Sequence, residues 1–329
     1  MAIDVAGGSA RRSRRARRPA ALRRVIGTPG AVAGLALVVL LGGFAALAPA
    51  IVPYPPDAIN AASMLRAPSG THLLGTDDLG RDIFSRLLYG ARLSLSVSLS
   101  AVALAVALGL PLGLVSGYLG GWIDEVLMRL LDSLMALPPL VLALTIAAVF
   151  GPGLRNAVFA IALVSVPTFT RLMRGEVLSL KHRDYVTAAH SVGVPAWLVP
   201  FRHILPNALN PMIVQATLGI GFSIITESSL SFLGLGAQPP TSTWGSMVQV
   251  GFQYLELAPW YVLAPATAIF LAVLGFNLLG DALRDALDPL GRVSLSPDDR
   301  QPRRIGQRQR DVGPEGQVVM AGHDDGAGC

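Results

Sequence analysis

Apolar residues in this chain come in long unbroken runs, not in the two-residue or three-to-four-residue repeats of a half-buried strand or helix. No Asp, Glu, Lys or Arg occurs across 25–56, 93–123, 133–154, 156–170, 203–226, 228–255 or 257–280. A helix needs about 20 mostly apolar residues to cross the hydrocarbon of a bilayer, where backbone groups can pair only within the segment. The runs therefore predict spans near 30–50, 94–117, 127–149, 154–174, 209–232 and 259–281. The run from 228 adds none. Its second half, GLGAQPPTSTWG at 234–245, crowds Gly and Pro with Ser and Thr, which predicts a loop, and the chain stays at or outside the far surface until Pro259.

Composition agrees with a membrane protein: of 329 residues, 52% are hydrophobic and only 14% charged, against roughly a quarter charged in soluble domains. The expected class is all-α with six transmembrane helices. Six spans place 21 of the 26 basic residues on one side, and Arg66, Arg81, Arg86, Arg92 and Arg155 on the other. By the positive-inside rule both termini are cytoplasmic. Residues 1–25 form a basic arm resting on anionic lipid, and nucleic acid is not an expected partner. Residues 26–91 hold the first span and an outer interfacial segment, 92–290 the remaining spans, and 291–329 a tail without apolar periodicity, which predicts disorder. Ala46-Leu47-Ala48 resembles a signal-peptidase site, but the apolar run is too long for a signal peptide and further spans follow. Cys329 is the only cysteine, so disulfides within the chain are excluded.

Several chemistries are missing or weak. A P-loop needs Gly-Lys-Ser/Thr, and the sole lysine, Lys181, lies between Leu180 and His182. Asp77, Asp78 and Asp82 in GTDDLGRDIFSRL do not have the spacing of a calcium loop. They predict a helix start capped by Thr76 or Asp77, with Ile83, Phe84, Leu87 and Leu88 as the apolar stripe of an outer interfacial helix. No metal or cofactor is expected. Glu227 is the one carboxylate well inside a span, about 27 Å along it at 1.5 Å per residue, and nearer the outer face. Such a group either lines a passage, as a gate or pathway residue, or pairs with an outer arginine such as Arg81 or Arg86.

Between the fourth and fifth spans stands a polar elbow, DYVTAAHSVGVPAWLVPFRHILPN at 184–207. Val177, Leu180, Val186 and Ala189 are spaced for a helix over 176–190, and Gly193 stands where a left-handed residue would end it. A second short helix runs toward Leu205 and is stopped by Pro206. Ala188 and Ala189 leave a strip without bulk, where another protein could approach the backbone. An ordinary solvated connector is the alternative.

The elbow resembles the EAA loop of ABC-importer permeases. Ala188, Ala189, Gly193, Leu205 and Pro206 fall on that pattern with its spacing intact, while Thr187 replaces its Glu and His203 its first apolar position. LLGTDDLGRDIFSRLLYGARLSL at 73–95, SFLGLGAQPPTSTWG at 231–245 and FNLLGDALRDALDP at 276–289 are similar to the C-type subunit of dipeptide and oligopeptide permeases. The resemblance implies a type I ABC-importer permease fold in a bacterial inner membrane. It also implies a complex with a homologous permease, two cytoplasmic ATPase subunits and an outside solute-binding protein that delivers peptides. Nickel chelates, glutathione or other small solutes are the alternative cargo. The coupling loop, 176–206, would carry Tyr185, Val186, Thr187, Ala188, Ala189, Gly193, Leu205 and Pro206 to the ATPase, and the chain itself would be no enzyme. A secondary carrier using Glu227, or a membrane scaffold, is the competing class.

Overall fold

Backbone groups shielded from water must pair within their own segment, and among the described residues every membrane-length segment meets this demand with helix. The computed structural model describes residues 29–287. The basic arm 1–25 and the tail 291–329, with Cys329, lie outside the described residues. In chain order the helices are α1 (Pro29–Ile51), α2 (Ile83–Leu119), α3 (Gly121–Met135), α4 (Pro139–Phe150), α5 (Leu154–Leu180), α6 (Asp184–Ser191), α7 (Leu205–Phe232), α8 (Trp244–Phe252) and α9 (Pro259–Leu287). Among the described residues α1, α2, α5, α7 and α9 are long and apolar enough to cross a membrane. Each of these five carries a proline in its interior: Pro49, Pro111, Pro167, Pro211 and Pro265.

The third expected span is not one straight helix. The chain bends by 90° between α3 and α4, because Pro138 adopts ψ 135° ahead of Pro139, and a residue preceding proline is pushed out of the helical region. The crossing count is six only if this bent pair counts as one. The second correction concerns α2. Its cap is Asp82, whose carboxylate accepts from the Ser85 amide and hydroxyl, both at 2.8 Å. Asp77 instead folds its own stretch into a turn by accepting from the Leu79 and Arg81 amides. The expected interfacial helix is thus the first turns of a single 37-residue helix.

Two main cores hold the bundle. Toward the elbow, Leu114, Phe169, Met173, Val177, Val186 and Ile204 join α2, α5, α6 and α7. Toward the other end, Ala45, Leu95, Ile224, Trp244 and Phe276 join α1, α2, α7, α8 and α9. The most extensive helix packing is α2 on α5, where Gly109, Gly113 and Gly117 form a ridge. A Cβ would stand 2.7 Å from the Cβ of Phe169 at Gly109 and from that of Met173 at Gly113, and 2.8 Å from that of Val177 at Gly117, closer than nonbonded carbons come. Spacing by four on one helix face is the small-residue pattern that lets membrane helices touch backbone to backbone.

Candidate functional site

The elbow is two linked turns of helix on a short tether. Helix α5 ends at Leu180 and α6 begins only at Asp184, so the single helix expected over 176–190 is broken at Arg183, which is extended at ψ 146°. Helix α6 closes as anticipated from its glycine. Gly193 has φ 79°, its amide donates to His190 O at 3.0 Å, and the Val194 amide reaches back to Ala189 O at 3.1 Å. These two bonds are the Schellman pattern that satisfies carbonyls left over at a helix end.

Beyond Gly193 the expected second helix does not stand alone. Pro200–Ile204 is a stretch of π-helix that runs directly into α7. Pro206 does not stop a helix there. It sits in the first turn of α7, directly behind the π-helical stretch. Pro200 likewise opens its stretch rather than interrupting one.

The candidate residues divide by exposure. Val186 is buried in the core shared with Val199 and Ile204, and Ala189 is buried as well. Tyr185, Thr187, Ala188, Gly193 and Pro206 are exposed, and Leu205 is intermediate. The bare alanine strip is therefore half of what was expected: Ala188 faces outward, but Ala189 packs against its own chain. Sequence reasoning missed the largest outward groups. Val192 is 79% exposed, Trp197 70% and Phe201 55%. The missed signal was an aromatic residue at 197 and another at 201, in a segment already read as polar.

Beside the elbow a cavity of about 520 Å³ opens between α5, α7 and α9, lined among others by Leu172, Asn207, Asn210, Gln215 and Arg284. Amide and guanidinium groups on membrane helices face water or protein rather than lipid, so this half-polar vestibule is not a lipid-facing groove.

At the opposite end, Glu227 is fully buried and accepts from the Ser231 hydroxyl at 2.7 Å. No arginine pairs with it among the described residues, and that expectation is corrected. Arg81 is held by Asp77 at 2.6 Å, and Arg86 lies 3.2 Å from Asp57 and 3.4 Å from Asp77. His72 meets Asp82 at 2.9 Å, and the Tyr261 hydroxyl donates to Asp78 at 3.1 Å. The knot closes on itself before any charge is left for Glu227. Close by, α8 hangs from α2 by two bonds, the Trp244 amide to Ser94 Oγ at 3.2 Å and Trp244 Nε1 to Leu87 O at 3.1 Å.

Residues 109–293 match the family described as binding-protein-dependent transport system inner membrane component. Residues 20–68 match the N-terminal TM domain of oligopeptide transport permease C. The chain is 51% identical over 266 residues to the dipeptide transport system permease protein DppC of Escherichia coli (strain K12), covering 79% of this chain and 89% of that protein. It is 48% identical over 259 residues to the DppC of Alkalihalophilus pseudofirmus, covering 79% and 85%. It is also 46% identical over 270 residues to the glutathione transport system permease protein GsiD of Pectobacterium atrosepticum, covering 81% and 89%. In fold it is similar to a chain of the MetNI methionine ABC transporter in an inward-facing conformation, with TM-score 0.52 and 17% identity over 63% of this chain and 98% of that one. A helical bundle with a polar elbow, matched over most of its length by such relatives, belongs to the binding-protein-dependent transport system inner membrane component family, as a multi-pass ABC-importer permease of the bacterial inner membrane.

Proposed function

We propose that this chain is one of two homologous permease subunits that together pass di- and oligopeptides across the membrane. Two cytoplasmic ATPase subunits seat on its elbow, and an outside binding protein delivers cargo to the opposite end. The observation that carries this reading is the exposure of Val192, Trp197 and Phe201 on a connector between membrane helices. Apolar groups of that size, rimmed by polar residues, mark a protein contact rather than a solvated linker. Trp is the residue type most often found as an interface anchor.

The elbow and both termini are cytoplasmic in this reading, supported by the distribution of basic residues. Tyr185, Thr187 and Ala188 form the outward face of α6 against the ATPase, Val186 and Ala189 fix it to the bundle, and Gly193, Leu205 and Pro206 set where the chain turns back into α7. ATP hydrolysis belongs to the partners, since the only lysine has no glycine before it. The half-polar vestibule beside α7 is the inner part of the passage. Glu227, near the outer end of α7, is the candidate outer gate or pathway residue. The buried setting of this carboxylate is a poor fit to an ion-coupled carrier, whose site must open to solution. Dipeptide permeases among the relatives support peptide cargo, and the GsiD relative makes glutathione the second reading.

Detergent-solubilised complexes purified by a tag on this chain should bring the ATPase with them, and reporters fused after 190 and after 250 should read inside and outside respectively. An elbow reporter reading outside, or purification without any ATPase, overturns the proposal. Uptake of labelled dipeptide that unlabelled dipeptides suppress and glutathione does not would separate the two cargoes.

A further inference from the structure

Three polar ties join the elbow region to the body of the bundle. At the end of α2, the Tyr118 hydroxyl donates to Ala196 O at 2.7 Å. Just past α5, Lys181 Nζ reaches Gly117 O at 3.3 Å. Between them, Arg174 grips Asp124 with two parallel bonds, Nε to Oδ1 and Nη2 to Oδ2, both at 2.6 Å. The Ser116 hydroxyl donates to the same carboxylate. Asp124 is therefore the node where α2, α3 and α5 meet.

These ties lie at the elbow end of the glycine ridge, and the two features do different work. Close packing along Gly109, Gly113 and Gly117 resists both separation and sliding of α2 against α5, but the ridge lies on α2 and α5 alone and leaves α3 to other contacts. A guanidinium bonded through two prongs to a carboxylate fixes both distance and angle. The side chains of Asp124 and Arg174 are 18% and 32% exposed. They are shielded enough to keep the pair firm, and wet enough to escape the penalty of a fully buried pair.

We propose that Asp124 and Arg174 are positioning residues of the transport cycle: a latch that makes a displacement of the elbow into a joint motion of α2, α3 and α5. Without it the elbow still moves with its ATPase, but α3 no longer follows α2 and α5 and part of the motion is lost there. The proposal rests on the elbow being the ATPase contact.

The test uses the whole complex in liposomes with loaded binding protein, and reads peptide taken up per ATP hydrolysed. Asp124→Asn and Arg174→Gln should each assemble and hydrolyse ATP, yet lower that ratio about tenfold, the scale of one charge-assisted bond. Because both remove the same interaction, the double variant should fall by about the same factor and not by the product of the two. Arg174→Lys keeps the charge but not the second prong, and should lose about threefold. It stands in if the stronger variants fail to assemble. A wild-type ratio in any of these variants, or a multiplicative loss in the double, overturns the latch. Failure of the underlying reading looks different: the unaltered complex would then show no ATPase bound at the elbow at all.

Discussion

The two ends of this bundle treat their awkward groups in opposite ways. At the end away from the elbow, Asp77, Arg81 and Arg86 are taken inside and matched to one another. Asp77 is fully buried, Arg86 and Arg81 are 5% and 8% exposed, and each finds its partner within the same chain. At the elbow, large apolar side chains are left outside, uncovered by any of the described residues. One end is complete in these arginines, and the other leaves Val192, Trp197 and Phe201 for company. A surface that must survive repeated docking and release of a soluble partner can be rigid and self-satisfied. A surface held against a permanent subunit can leave its apolar groups for that subunit to bury.

The contrast can be broken most forcefully at the complete end. Asp77→Ala removes the one fully buried carboxylate between two guanidinium groups. Among the described residues it leaves Arg81 no carboxylate but Asp78 at 3.7 Å and Arg86 none but the half-exposed Asp57 at 3.2 Å, and removing one member of a buried ion pair costs about 3 to 5 kcal/mol. The subunit should lose abundance and melt well below its parent in detergent, whereas a melting point within a degree or two would mean that the knot is ornamental. A smaller effect, felt in assembly and not in folding, is expected from Trp197→Ala. Its melting should match the parent, but ATPase retention should weaken by about 2 kcal/mol, roughly 30-fold in dissociation constant, as for an interface anchor. Parallel losses of melting point and ATPase retention would erase the distinction between the two ends.

The finest test is Gly193→Val. No atom lies within 4 Å of a Cβ added there, so the substitution meets only the left-handed backbone, a cost of about 1 to 2 kcal/mol. Abundance should stay normal while peptide uptake and stimulated ATP hydrolysis fall. Gly193→Asn, which tolerates that conformation, should restore most of both. Equal transport by all three proteins would make the elbow a plain connector.

Much of this was legible in the sequence because a membrane imposes simple demands. Charge-free length found α1, α5, α7 and α9, and a glycine after an apolar-spaced segment located the end of α6. What escaped notice depends on contacts far apart in sequence. Whether Glu227 pairs with Arg81 depends on whether Asp77 has already taken it, and no local pattern carries that. The break between α3 and α4 was written in Pro138-Pro139, but the apolar run on either side outweighed it when read as composition. Asp124 and Arg174 lie far apart along the chain, and each alone reads as a charge at a membrane boundary. Trp197 was visible, yet its exposure is set by Val199 and Ile204 filling the core in its place.

The interior prolines of the five long helices bear on the mechanics of the whole bundle. A proline inside a helix lacks the amide that would bond the carbonyl four residues back, and its ring pushes that carbonyl aside. Ordinary helices bend only by stretching or breaking such bonds, which is why sharp bends gather at proline. Each long helix here has already given up one bond, at Pro49, Pro111, Pro167, Pro211 or Pro265. Its stiffness along the axis is intact, while its resistance to flexure is lowered at one known place. Such a set of jointed struts can change its crossing angles between open and closed forms without exposing any further peptide group to lipid.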